Sequence, residues 1–310
     1  MIAFLFPGQG SQRVGMGRAL AEAHPVCRAT FEEADAVLGT PLSRLCFDGP
    51  EEQLVLTENT QPAILTVSIA MHRLLGERGL VPDVVAGHSL GEYSAHVAAG
   101  TLSFADALQT VRRRGRYMQE AVPPWAGAMA AVLGLDAALV EQACRDASQG
   151  EVVSPANLNA PGQVVIAGAA GAVARAGERA KALGAKRVIP LPVSAPFHCA
   201  LMRPAEERLA PELRRLPVSD PRVPVVANVD AEFKRDARAA IEALVQQVSR
   251  PVQWEASVRR LASAGVRTYV EVGPGTVLSG LVKKTHQGAD VVSVEQHLGH
   301  AALEALFSVS

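Results

Sequence analysis

The chain has 310 residues, 30 Lys and Arg against 31 Asp and Glu, and a formal net charge of −1. That balance argues against nucleic acid as a partner, because a phosphate-backbone binder carries a strong basic excess, and 4% aromatics disfavour a base-stacking surface. With 48% apolar residues the chain can bury a sizeable core, organised as one large or two modest domains at roughly 150 residues each.

The first run, Ile2–Phe6, reads as a strand and not as a signal peptide: it lacks a basic leader and breaks at once on Pro7-Gly8. Further apolar runs at Val84–Ala86, Val223–Ala227, Thr268–Val272 and Val291–Val294 also read as strands. Helical patterns lie between them at Gln61–Leu75, Phe104–Ala121, Arg238–Val248 and Glu255–Ala264. Pro62 sits near a predicted helix start and Gly76 and Gly79 near its end, while Ser103 and Asp106 have capping-box spacing. The alternation predicts an α/β domain with a mostly parallel sheet.

The middle of the chain has a different order. Strand Ala128–Gly134, helix Asp136–Ala147, strands Val152–Asn157 and Gln163–Ala167, helix Ala172–Leu183 and strand Arg187–Val193 make a β-α-β-β-α-β, or ferredoxin-like, unit. The expected division is a core of residues 1–124 and 194–310 with an insert of residues 125–193. The four cysteines, Cys27, Cys46, Cys144 and Cys199, are far apart and form no C-x-x-C, so no metal or redox motif arises from them. No apolar run reaches the roughly 18 residues of a membrane span, and the expected compartment is the cytoplasm.

The chemistry concentrates in Gly87-His88-Ser89-Leu90-Gly91, a G-x-S-x-G between a predicted strand and a helix-capable stretch, Glu92–Ala99. A strand-to-helix turn of this kind exposes the serine oxygen, and the new helix aims its first N–H groups at the place where an oxyanion forms. Serine needs a base. His88 is expected to point away from the pocket side of the turn, and His96 to lie on a helix face. His24, His72, His286, His297 and His300 have no supporting motif. His198, in the Pro-bounded loop Ser194–Cys199 at the insert junction, is the favoured base.

A second loop, Pro7-Gly8-Gln9-Gly10-Ser11-Gln12, fails the dinucleotide fingerprint because Arg13 occupies the third glycine position, and no G-K-[ST] occurs anywhere. Its backbone N–H groups can face a site at the strand's end. On the helix after the turn, Leu108, Val111, Gly115 and Met118 make an apolar stripe; Arg113 falls opposite it and Arg112 and Arg114 flank it. Either flanking arginine suits a substrate carboxylate, and periodicity does not choose between them.

Taken together, Phe6–Gln12, Gly87–Ser94, Arg114-Gly115 with Met118-Gln119, Pro196-Phe197-His198, Pro251-Val252-Gln253-Trp254 and Val272-Gly273-Pro274-Gly275 resemble malonyl-CoA:acyl carrier protein transacylases, in order, from residue 1 to about 295. The resemblance implies a hydrolase-like core with a ferredoxin-like insert. It implies Ser89 as the acylated nucleophile, His198 as its base, and the N–H groups of Gln9 and Leu90 as the oxyanion hole. It also implies Arg114 as the holder of the malonyl carboxylate and Gln247 as the residue that orients His198 through its main-chain carbonyl. Phe197 beside the base is expected to narrow the pocket against branched malonyl units. The partners implied are malonyl-CoA and holo acyl carrier protein, in fatty acid biosynthesis. No permanently bound cofactor and no metal is expected. Arg175, Arg179, Lys181, Lys186, Arg187 and Lys283-Lys284 are the candidates for docking an acidic carrier. The competing readings are a serine hydrolase with the same elbow and a carrier-binding subunit without catalysis; a buried Arg114 speaks against the first.

Overall fold

The structure is a computed structural model that describes residues 1–123, 125–193 and 195–297. Pro124, Ser194 and His300, which enter the expectations above, lie outside the described residues, as does the rest of 298–310. Ten strands occur in chain order: β1 (Ile2–Phe6), β2 (Val84–Gly87), β3 (Gly127–Leu133), β4 (Val153–Ala160), β5 (Gln163–Ala169), β6 (Arg187–Pro190), β7 (Val225–Val226), β8 (Phe233–Lys234), β9 (Thr268–Glu271) and β10 (Asp290–Ser293).

Six of them form one sheet in the order β10-β9-β1-β2-β7-β8. Every pairing in it is parallel except the edge pair β7–β8. The central strands are short and apolar throughout, as strands covered by helices on both faces must be; Ala3 to Phe6 and Val84 to Ala86 are all buried. Chain order reverses about β1, so the carboxyl ends of β1 and β2 open onto a crevice, the usual location of a site in such sheets.

The other four strands form an antiparallel sheet in the order β4-β5-β3-β6, with helices Ala137–Ala147 and Ala170–Ala182 between the strands in sequence. This is the ferredoxin-like unit expected from the element order. Val132, Val140, Val164, Ile166 and Val173 are among the residues of its own apolar core. Two features seat it against the parallel-sheet part. Val252 exchanges backbone hydrogen bonds with Ala156 and Leu158 of β4 (2.8 and 2.9 Å). Gly127 approaches Pro196 so closely that a Cβ there would lie 2.3 Å from the proline ring.

Several predicted boundaries shift. Helix Thr57–Glu77 begins four residues before Gln61, so Pro62 and Gly76 lie inside it; the Pro62 carbonyl accepts the Thr66 hydroxyl at 2.8 Å, a back-bond to the preceding turn. The predicted strand Val223–Ala227 pairs only at Val225–Val226, and Arg187–Val193 only over Arg187–Pro190. Ser103 caps helix Phe104–Glu120 as its spacing with Asp106 predicts, accepting the Asp106 N–H at 3.0 Å. Sequence analysis left helices Pro25–Leu38, Arg203–Leu213 and Val277–Thr285 unassigned. No described helix is long and apolar enough to cross a membrane.

Candidate active site

Gly87 closes β2, and Ser89 stands between it and helix Leu90–Ala99 with φ 52° and ψ −106°. That backbone is sparsely populated for a residue with a Cβ and costs on the order of 1–3 kcal/mol. The two glycines of the motif permit it sterically. A Cβ on Gly87 would lie 1.9 Å from the Gly91 carbonyl oxygen, and one on Gly91 would lie 1.9 Å from the Phe6 carbonyl oxygen. The turn is therefore wedged against the end of β1, and the His88 N–H donates to Phe6 O at 3.0 Å. His88 is not a bystander: its Nε2 meets Asn159 Oδ1 of the insert at 2.8 Å, its ring tilts against Trp254, and it borders a cavity of about 250 Å³ beside Gln9 and Asn157.

Ser89 Oγ lies 2.7 Å from His198 Nε2, and His198 Nδ1 lies 2.8 Å from the main-chain oxygen of Gln247. A carbonyl only accepts, so Nδ1 carries the proton and Nε2 presents its lone pair to the serine hydroxyl. Burial, reinforced by the Arg114 guanidinium, pushes His198 down to about 3, which keeps the imidazole neutral and ready to take a proton. Gln247 is the last residue of helix Ala237–Gln247, so its oxygen is one of the helix's free terminal carbonyls, at the negative end of the dipole. That carbonyl offsets part of the cost that burial and Arg114 place on a cation at His198.

Of the three consecutive arginines, Arg114 turns inward and is only 1% exposed. Arg112 reaches the Thr40 hydroxyl, and Arg113 pairs with Glu212 at the surface. The Arg114 guanidinium donates to Ser89 Oγ at 3.1 Å, to Gln61 Oε1 at 2.8 Å and to Gln247 Oε1 at 2.8 Å, with its carbon 5.4 Å from the centre of the Tyr93 ring. The structure thus separates the two flanking arginines that periodicity leaves equivalent. Phe197 precedes the base and is buried in the same apolar cluster as Leu90, Met118 and Met129.

The amides of the turn are accounted for one by one. His88 donates to Phe6, Ser89 to Asn228 Oδ1 at 2.7 Å, Gly91 to His88, and Glu92 to Ser89. Leu90, the first residue of its helix, has an N–H without an acceptor among the described residues, and so does Gln9. The Gln9 loop is held close to the turn: a Cβ on Gly8 would lie 2.4 Å from the His88 carbonyl oxygen.

Asn228, Gln61 and Glu92 are the residues that sequence reasoning missed. Asn228 follows β7, and besides holding the Ser89 N–H it donates to Gly87 O at 2.7 Å, so one side chain clasps both sides of the turn. Its only sequence signal is its place just past a parallel strand, at the carboxyl end of the sheet. Glu92 lies two residues beyond Leu90, wholly buried, and accepts from Gln247 Nε2 and the Asn228 N–H. No group of three or more His, Cys, Asp or Glu residues is placed to hold a metal among the described residues.

The sequence model of the acyl transferase domain matches residues 3–304. The chain belongs to the acyl transferase domain family. The acyltransferase is 54% identical over 283 residues to the malonyl CoA-acyl carrier protein transacylase of Escherichia coli strain K12, covering 91% of this chain and 92% of that protein. It superimposes with a TM-score of 0.93 and 50% identity on a crystal structure of an acyl carrier protein S-malonyltransferase from Vibrio cholerae, covering 94% and 96% of the two chains. A malonyl-transacylase solved in complex with its type II polyketide synthase acyl-carrier protein matches at a TM-score of 0.95 and 47% identity, covering 100% of the acyltransferase and 99% of that chain.

Proposed function

We propose that this acyltransferase moves malonyl from malonyl-CoA to the phosphopantetheine thiol of acyl carrier protein, in fatty acid biosynthesis, through an acyl-Ser89 intermediate. The observation that carries the reading is a buried guanidinium, Arg114, within hydrogen-bond reach of the same Ser89 oxygen that His198 holds. A hydrolase of neutral acyl groups has no use for such a cation, whereas a malonyl carboxylate fits it as a bidentate partner.

In the first half-reaction Ser89 Oγ attacks the thioester carbonyl while His198 Nε2 takes its proton. The oxyanion is received by the N–H groups of Leu90 and Gln9, both of which have no other acceptor among the described residues. Collapse breaks the carbon–sulfur bond, and the leaving coenzyme A thiolate takes the proton from the His198 imidazolium. In the second half-reaction the carrier thiol gives its proton to His198 and attacks the seryl ester, and collapse returns the proton to Ser89. Gln247 orients the base through its carbonyl. Coenzyme A thioester is a substrate, and the transfer uses no resident cofactor. Acetyl-CoA leaves the guanidinium enclosed and unpaired, so it is disfavoured by desolvation. Phe197 narrows the acyl pocket against branched units.

We assign residues 1–124 and 194–310 to the core and 125–193 to the insert, and place the protein in the cytoplasm with its carrier. Of the docking candidates, Arg175, Arg179 and Lys181 are already paired with Glu151, Asp146 and Glu178, and Lys284 with Gln163. Lys186, Arg187 and Lys283 remain exposed for an acidic carrier.

The test is intact-protein mass spectrometry after brief mixing with malonyl-CoA, beside an acetyl-CoA control. The expected result is a malonyl adduct on Ser89 that holo acyl carrier protein removes. Equal acetyl and malonyl adducts would demote Arg114 and restore the hydrolase reading, and no adduct from folded protein would leave a carrier-binding subunit.

A further inference from the structure

Arg114 is a buried cation whose three hydrogen-bond partners are all neutral oxygens, on Gln61, Ser89 and Gln247. An enclosed guanidinium requires an anion to balance its desolvation. One buried carboxylate reaches it through a single amide. Glu92 Oε2 accepts Gln247 Nε2 at 2.8 Å, and Gln247 Oε1 in turn accepts Arg114 Nη2 at 2.8 Å. The Asn228 N–H holds the same Glu92 oxygen at 3.1 Å. The Glu92 carboxylate and the Ser89 main-chain oxygen, 2.8 Å from the same Gln247 Nε2, both accept, so together they fix the NH2 end of the amide and turn its carbonyl end to Arg114.

We propose that Glu92 is a positioning residue for malonyl selection: through the Gln247 amide it orients Arg114 and supplies the internal negative charge with which an incoming malonyl carboxylate competes. The inference rests on Arg114 being the malonyl clamp. Burial pushes the Glu92 carboxyl up to about 7, with Asp230 raising it further and Arg114 opposing. Tyr93, itself raised by burial, is the other ionisable group in the field of Glu92. When malonyl enters, two anions share one cation, and Glu92 holds its charge less firmly. The main-chain carbonyl of Gln247 meanwhile holds His198, so anion, clamp and base converge on one residue.

The test removes the charge and keeps the shape, with Glu92→Gln in the full chain. The expected result is a fall of about three-fold in KM for malonyl-CoA, because a repelling charge is gone. The malonyl-to-acetyl loading ratio at Ser89 rises by a similar factor. A merely structural role lowers both loadings together; an unchanged ratio in Glu92→Gln with an altered one in Arg114→Gln overturns the inference alone. An unchanged ratio in Arg114→Gln overturns the clamp, and this inference with it. Should Glu92→Gln fold poorly, thermal melting of Arg114→Gln with and without Glu92→Gln decides. Arg114→Gln strands a buried anion, so the double variant is expected to melt higher than Arg114→Gln, and a further drop overturns the proposal.

Discussion

Gly91 and the carbonyl of Phe6 are so close that a single added carbon would sit 1.9 Å from the oxygen. The nucleophile turn is thus pressed directly onto the end of the first strand. Gly91→Ala must push the helix off that strand, and we expect a loss on the order of 3 kcal/mol in denaturant unfolding together with loss of acylation. A variant with wild-type stability would show that the contact is relaxed in solution.

Ser89 holds a backbone conformation that glycine adopts freely. Ser89→Gly should therefore be more stable than the parent by about 1 kcal/mol while forming no acyl-enzyme. Thermal melting and adduct mass on the same sample check both halves. A lower melting temperature would mean that the lost hydrogen bonds to His198 and Arg114 outweigh the relieved strain.

Arg114→Ala removes the cation that faces the serine oxygen. Malonyl transfer is expected to fall by at least about 100-fold, the scale of losing a buried charged contact, while acetyl loading and hydrolysis of the acyl-enzyme gain relative to transfer. Rates with both thioesters, measured side by side, report it; unchanged malonyl transfer would contradict the clamp.

Four imidazoles are held neutral by burial: His72 at about 4, His96 and His198 at about 3, and His88, lowered in the same direction. Above the unfolded value near 6.5 both states are neutral and the rings contribute no pH dependence. Below it the unfolded chain binds protons that the folded chain refuses, so stability falls as pH drops from about 6.5 towards 4. Glu92 and Glu271, raised by burial, work in the opposite sense, so a comparison of variants isolates one ring. His96 has no hydrogen-bond partner at either nitrogen among the described residues. His96→Leu should recover about 2 kcal/mol relative to the parent on going from pH 7.5 to pH 5, measured by denaturant unfolding at each pH.

The parts of the site that were legible in the sequence are those encoded locally. The nucleophile turn is five consecutive residues whose glycines have a steric reason, and the alternation of apolar runs with helical patterns is enough to separate a parallel sheet from a ferredoxin-like unit. Arg114 and Arg112 stand symmetrically about an apolar stripe, so only the tertiary fold, which buries one against Tyr93 and Gln61, tells them apart. Gln61 is a buried polar residue near the start of its helix and reads in sequence like any surface glutamine. Asn228 reaches Ser89 across 139 positions, and no periodicity links residues so far apart. Helix Pro25–Leu38 escaped because its apolar face answers to a neighbouring helix, Thr57–Glu77, and not to a sheet.

Position 247 carries two instructions of different kinds. Its side chain speaks to Arg114, Glu92 and the main-chain oxygen of Ser89, and its backbone oxygen speaks to His198. A codon change rewrites the first and leaves the second in place, because every amino acid brings the same carbonyl. Alanine at this position therefore reports on the clamp and on the hold on the Ser89 turn, and leaves the carbonyl that anchors the base in place. Loss of the base's anchor has to come from elsewhere, through changes that tilt or shorten the end of helix Ala237–Gln247.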